Sequence, residues 1–300
     1  MLADGEKWKI FHTDCITHMA ELPARVFDFS VFSPPFPSLY SYSSESSDIG
    51  NSEDLKRDAP LHLSFFYRQL ARLIKPGRVV MVHVCQIPRM KRVGGRGMHD
   101  FRGLNIRLGE RAGLIYEYDW MIRKNPQAQA VRSRSRELQF AGLESDRARS
   151  RGTMNDYLIK FMVPGEDAVP VDSEGDVSRH DWISWAEGCW GDIRETDTLN
   201  GQRGKDEARG EEDILHICPL QLPIIDRLVR LYTNPGEIVF SPFAGIGSEL
   251  VTAVKRGRRA YGCELKREYY ETAIKNLKRA EKSMRKDSSS LFSVLGGVDD

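Results

Sequence analysis

The chain has 300 residues, 40% apolar and 29% charged, with 44 Lys+Arg against 43 Asp+Glu and a formal net charge of +1. That composition excludes a disordered or collagen-like chain, and no apolar run approaches the roughly 20 residues that span a bilayer. The five cysteines (Cys15, Cys85, Cys189, Cys218, Cys263) are odd in number and form no CxxC pair, so a soluble, unexported protein of a reducing, cytoplasmic compartment is expected, without a disulfide framework or zinc site.

In chain order, alternating apolar residues predict a strand over 26–32, stopped by Ser33-Pro34-Pro35-Phe36-Pro37. Residues 38–54 are polar and Ser-rich, a long loop. The stretch 61–74 carries Phe66, Leu70 and Leu73 at helical spacing and ends at Lys75-Pro76-Gly77, with a buried strand over 78–84. A basic, Gly-rich loop (88–103) leads to a helix (104–112). Strands over 116–122 and 157–163 flank an Arg-rich arm, and 164–213 is acidic and poor in aliphatics. Helix 220–232, strand 237–240, helix 249–256, strand 259–263 and a basic helix 267–284 complete the order. This alternation predicts an α/β fold, a doubly wound and mostly parallel sheet. Three regions are expected: a catalytic half (1–122), a basic arm with an acidic insert (123–213) and a cofactor-binding half (214–300).

The near-zero net charge hides segregation. Residues 1–122 carry +2, 123–160 carry +5, 161–213 carry −10 and 214–300 carry +4. In the arm, Arg132, Arg134 and Arg136 alternate and would face one side of an extended backbone, and Arg147, Arg149 and Arg151 repeat the spacing. Such a run is either a solvated basic loop or a phosphate contact.

Residues 238–248 read as a buried strand, a Gly-x-Gly turn at Gly245 and Gly247, and the start of a helix. Backbone N–H groups at such a turn can approach a ligand, and the helix N-terminus adds partial positive charge. Glu264 closes the next strand 19 residues after Gly245, where a carboxylate can accept from both ribose hydroxyls. A plain strand-to-helix turn is the competing explanation. A dinucleotide would want a third glycine where this chain has Leu250, so the turn points to an adenosyl ligand without a pyrophosphate, S-adenosylmethionine. Candidate contacts are Ser241, Phe243, Ala244, Gly245, Gly247, Ser248 and Glu264.

The second constellation is Ser33-Pro34-Pro35-Phe36. Prolines free the turn from ladder hydrogen bonds, so the Ser33 hydroxyl and the Pro34 carbonyl can both accept from a ligand. An exocyclic amine of a nucleobase is a poor nucleophile because its lone pair is delocalised into the ring. Two acceptors on its N–H bonds would hold it pyramidal and aim the lone pair at a methyl sulfonium, with Phe36 stacked on the base. Alone, the tetrapeptide also suits ordinary turn chemistry.

Together, the SPPF and FAGIGS motifs in this order resemble the β-class DNA amino-methyltransferases, which modify N4 of cytosine or N6 of adenine. The resemblance covers most of the chain. It implies a Rossmann-like S-adenosylmethionine-dependent methyltransferase fold with a smaller inserted recognition region, and duplex DNA as partner. His12-Thr13-Asp14-Cys15 resembles the family's Gly-Asp-Cys stretch, which implies that Asp14 contacts the cofactor's adenine. The LIKPG and HICPLQL segments and the stretch around Gly262, Glu264 and Tyr269 are also similar, and the whole pattern suggests the prophage-type orphan subgroup, bacterial or phage-encoded. Two positions depart from the family: Ser241 stands where Asp is usual, leaving a hydroxyl but no charge for the ligand's ammonium, and Gly-Ile-Gly-Ser replaces Gly-Ser-Gly-Thr.

Ser33 at the first motif position leans towards N4 of cytosine, with N6 of adenine as the alternative. An inactive DNA-binding regulator of the same fold, or a methyltransferase of RNA or protein, stands further off. Modifying a base of duplex DNA requires its extrusion. Arg132, Arg134 and Arg136 are the candidate phosphate contacts, and Tyr40 and Tyr42 are placed to close over the extruded base. The acidic insert holds Trp182, Trp185 and Trp190 and would repel phosphates, which leaves a homodimer contact or packing under the basic lobe. His83 reads as a satisfied core histidine. No metal and no membrane partner are expected.

Overall fold

The computed structural model describes residues 1–37, 49–51, 57–89, 97–133, 138–139, 147–166, 169–172, 175–200 and 219–295. Its strands are β1 (Leu2–Asp4), β2 (Trp8–His12), β3 (Phe27–Phe32), β4 (Ile74–Cys85), β5 (Ile87–Pro88), β6 (Met98–His99), β7 (Ile115–Ile122), β8 (Asp156–Met162), β9 (Cys189–Trp190), β10 (Ile238–Ser241) and β11 (Arg259–Glu264). Its helices are α1 (Cys15–Glu21), α2 (Asp58–Leu73), α3 (Phe101–Arg111), α4 (Pro126–Ser133), α5 (Arg179–Trp185), α6 (Leu222–Tyr232), α7 (Ser248–Lys255) and α8 (Arg267–Leu295).

Nine strands form one sheet in the order β1-β2-β11-β10-β3-β4-β8-β7-β9, and β5 pairs with β6 separately. From β2 to β4 the neighbours are parallel, whereas β8 runs against both β4 and β7. All six residues of β3 are buried, as a central strand covered on both faces requires. Phe29, Val31, Val79 and Met81 face a core built with α6, α7 and α8, while Phe32, Val80 and Val82 face one built with α2 and α3. The sheet is therefore doubly wound and mostly parallel, as the alternation of elements predicts.

Some boundaries move. The helix over 61–74 starts earlier and ends at Leu73, and Ile74 already pairs with Phe27, so the Lys-Pro-Gly segment lies inside β4 at a register shift. Gly77 adopts φ 71° there, a left-handed conformation that glycine takes at little cost. The arm is helical over α4, which replaces the extended backbone expected at Arg132.

The acidic insert closes onto the C-terminal half. Trp185 and Trp190 are buried, and the Arg227 guanidinium of α6 lies 5.4 and 4.9 Å from their ring centres. Asp176 pairs with Arg258, Asp181 with Arg230 and Asp192 with Arg227. Trp182 is exposed. Of the described helices, none is long and apolar enough to cross a membrane.

Candidate active site

Parallel strands of one direction bring their carboxyl ends to one edge, which in open α/β sheets is where ligands bind. Here the residues after β2, β11, β10 and β3 line one cleft. Thr13, Asp14 and Cys15 follow β2, Glu264 ends β11 with Leu265 and Lys266 beyond it, the turn from Pro242 to Ile246 follows β10, and Ser33 to Phe36 follow β3. Ser248 and Glu249 of α7, Ile49, Pro219, Leu220 and Tyr269 complete the walls.

The glycine turn is held from three sides. Glu264 accepts from the Gly245 amide at 2.7 Å and from the Lys266 amide at 2.8 Å. The Ala244 amide donates to the Cys263 carbonyl at 2.9 Å, and Asn276 of α8 donates to the Ile246 carbonyl at 2.7 Å. Gly245 and Gly247 take φ 53° and 89°, where an L side chain is strained. The Glu264 carboxylate therefore positions the turn in addition to facing the cleft. Asp14 has a second task too: its Oδ1 accepts from the Thr17 amide and hydroxyl, both at 2.8 Å, capping α1.

Ser241 ends β10 fully buried, and its hydroxyl has no hydrogen-bond partner among the described residues. Glu249 is buried in the first turn of α7. Burial pushes its carboxyl up to about 8, a hydrogen bond from its own amide offsets part of this, and the nearby Glu264 adds to it. Cys15 and Cys263 are buried thiols raised by desolvation, and inert packing suits them.

At the other end, Ser33 Oγ lies 2.7 Å from His83 Nδ1, and His83 Nε2 lies 2.9 Å from Asp156 Oδ2. Lys124 Nζ approaches the same carboxylate oxygen at 2.6 Å. Sheet register explains the chain of contacts. Phe32 pairs with Val82, Cys85 with Asp156, and Asp156 with Ile122, so Asp156 lies diagonally across from both His83 and Lys124. Because β8 is antiparallel, its first residue arrives at the edge where β3 and β4 end. Burial alone would raise the Asp156 carboxyl, yet His83 and Lys124 hold it below the usual carboxylate range. The Asp156 carboxylate is thus ionised and accepts from His83 Nε2, while Nδ1 faces the Ser33 hydroxyl.

The cleft brings together Ser33, Pro34, Pro35, Phe36, Asp14, Phe243, Ala244, Gly245, Ser248 and Glu264. Ser241 and Gly247 lie in the strand and turn behind it. Phe36 is 3% exposed with its ring 5.6 Å from that of Phe101, so it is already packed on one side. Arg132 falls in α4, and Arg134, Arg136, Tyr40 and Tyr42 lie outside the described residues. His83 is buried and hydrogen-bonded on both ring nitrogens, the satisfied core histidine expected, and one of its partners is the cleft residue Ser33. Asp156 and Lys124 carry no local signal at all.

The sequence pattern of the N6/N4 DNA methylases matches residues 27–275. The chain belongs to the N6/N4 DNA methylase family. Among its relatives, the type II methyltransferase M1.MboII of Moraxella bovis is 33% identical over 76 residues, 25% of this chain and 29% of that protein. The type II methyltransferase M.BglI of Bacillus subtilis is 28% identical over 146 residues, 48% of this chain and 37% of that protein. The matched stretches thus span about a third of these curated relatives. In fold, this methylase resembles a Thermus thermophilus protein crystallised with S-adenosyl-L-methionine, at TM-score 0.65 and 20% identity, covering 90% of this chain and 93% of that one. It also resembles the cytosine-N4-specific PvuII DNA methyltransferase, at TM-score 0.62 and 17% identity, covering 90% and 86%. The Rossmann-like methyltransferase fold with an inserted region is common to all three.

Proposed function

We propose that this methylase transfers a methyl group from S-adenosylmethionine to an exocyclic amino group of a base in duplex DNA, N4 of cytosine ahead of N6 of adenine. The observation that carries the proposal is that Ser33, in the cleft that also holds the glycine turn, is joined to the buried His83 and Asp156 behind it. The cofactor fits the residues present: Glu264 and Asp14 would hold the adenosine end, and Gly245, Ser248 and Glu249 line the same cleft beside them. When bound, S-adenosylmethionine supplies an electrophilic methyl group on a sulfonium.

The chain's own residues then act on the amine. Ser33 Oγ, its proton on the side of His83, keeps its lone pairs for one N–H, and the Pro34 carbonyl accepts the other. Held this way, the nitrogen loses conjugation with the ring and its lone pair is aimed into the cleft. Methylation forms one N–C bond, breaks one S–C bond and leaves one surplus N–H proton. Ser33 receives that proton as it passes its own to His83 Nδ1, and Asp156 stabilises the imidazolium.

The lean to cytosine rests on the hydroxyl at position 33. Further parts of the proposal are the Arg132, Arg134 and Arg136 arm on phosphates, Tyr40 and Tyr42 over an extruded base, three functional regions at 1–122, 123–213 and 214–300, and an orphan, prophage-type enzyme of the bacterial cytoplasm. Nuclease digestion of treated duplex DNA and mass spectrometry of its nucleosides tests the core. N4-methylcytosine is the expected product, and Ser33→Ala should lower its yield about 100-fold or more. N6-methyladenine would overturn the base, and unmethylated DNA the activity.

A further inference from the structure

Three carboxylates line the cleft, and two of them are already engaged. Asp14 caps α1 through Thr17, and Glu264 takes the amides of Gly245 and Lys266. Lys266 itself lies with Nζ 4.3 Å from the centre of the Tyr269 ring. Glu249 differs. It is 5% exposed, lines the cleft from the first turn of α7, and pairs with no basic side chain among the described residues. The other feature without a partner, the buried Ser241 hydroxyl, belongs to the same strand-to-helix connection.

A buried carboxylate without a counter-charge is costly, and so is a buried hydroxyl without a hydrogen bond. A positively charged donor entering the cleft between β11 and β3 would relieve the carboxylate. Strand order narrows which one: Glu264 stands at the β11 side and Ser33 at the β3 side, and the β10 connection carrying Ser241 and Glu249 lies between them. Resting on the methyl-donor reading above, we propose that Glu249 is the counter-ion for the ammonium of the cofactor's amino-acid end. The charge missing at position 241 is supplied eight residues further along the chain, from the first turn of α7.

The raised Glu249 carboxyl adds a consequence. Burial pushes it up to about 8, so it is mostly protonated at neutral pH, and a bound ammonium should drive a proton off. Asp14, Glu264 and Lys266 also face this space and are present in wild type and variant alike.

Titration calorimetry on the full chain distinguishes the outcomes, using S-adenosylmethionine, S-adenosylhomocysteine and 5′-methylthioadenosine, of which the last has no ammonium. Glu249→Gln is expected to weaken the first two by about tenfold or more and to a similar degree. It should leave 5′-methylthioadenosine binding unchanged, which also shows that the variant is folded. Wild type should release a proton on binding S-adenosylhomocysteine near neutral pH, read from buffers of different ionisation enthalpy, and the variant should not. Equal weakening of 5′-methylthioadenosine, a loss confined to S-adenosylmethionine, or no change at all would overturn the assignment. If wild type binds none of the three, the methyl-donor reading itself fails.

Discussion

A serine hydroxyl becomes a directed acceptor only when something fixes its own proton, and His83 is placed to do this at 2.7 Å. His83→Gln should therefore lower kcat by about 100-fold while leaving the KM for cofactor unchanged. A histidine that merely packed would change thermal stability and leave kcat as it was. Asp156 gives a complementary test on stability. Its carboxyl is depressed in the folded state, so its stabilisation is present above the ordinary aspartate range and is lost as pH falls through the depressed value. Asp156→Asn should be less stable than wild type at neutral pH, by an amount that shrinks in acid denaturation profiles below about pH 4. Ser33, Gly245 and Glu264 were legible in the sequence because each motif is contiguous or keeps a fixed spacing across one strand-helix-strand unit. His83, Asp156 and Lys124 were not, because only the pairing of β8 between β4 and β7 joins positions so distant in the chain.

Among the elements, the contact of α7 with β11 decides the shape of the glycine turn. A Cβ at Gly262 would lie 2.7 Å from Leu250 Cδ1 and 3.2 Å from the Ala244 Cβ, both in or beside that turn. Leu250, which argued against a dinucleotide, thus fills the space that Gly262 vacates. Gly262→Ala should cost about 1–3 kcal/mol in chemical denaturation and weaken cofactor binding as the turn shifts. Long periodic elements such as α6 and β8 were readable from their apolar pattern. The strand β2 was not, since Trp8 and Ile10 are its only fully buried residues and five residues are too few to show a period. In the arm, alternate arginines suggested extended backbone, but Pro126 followed by a Gln/Ala run favours the helix that forms.

Across the whole molecule, described acids of the insert meet arginines of the C-terminal half that are distant in sequence. Arg258 is 1% exposed and pairs with Asp176 of the acidic insert, so Asp176→Asn should cost about 3 kcal/mol by stranding a buried guanidinium. Asp192 is 65% exposed in its pair with Arg227, and Asp192→Asn should cost less than about 1 kcal/mol. Thermal unfolding of the two variants side by side would check the contrast. The arm, at +5, is the most basic of the four segments. Replacing Arg132, Arg134 and Arg136 by Ala should flatten the salt dependence of DNA binding by up to about three units of slope, and an unchanged slope would return the arm to plain solvated surface. The position of β8 has a last consequence, for exchange between relatives. Asp156 reaches His83 from β8, so in a chimera with a relative a junction inside residues 156–162 would part Asp156 from the histidine that contacts Ser33, whereas a junction outside them would not.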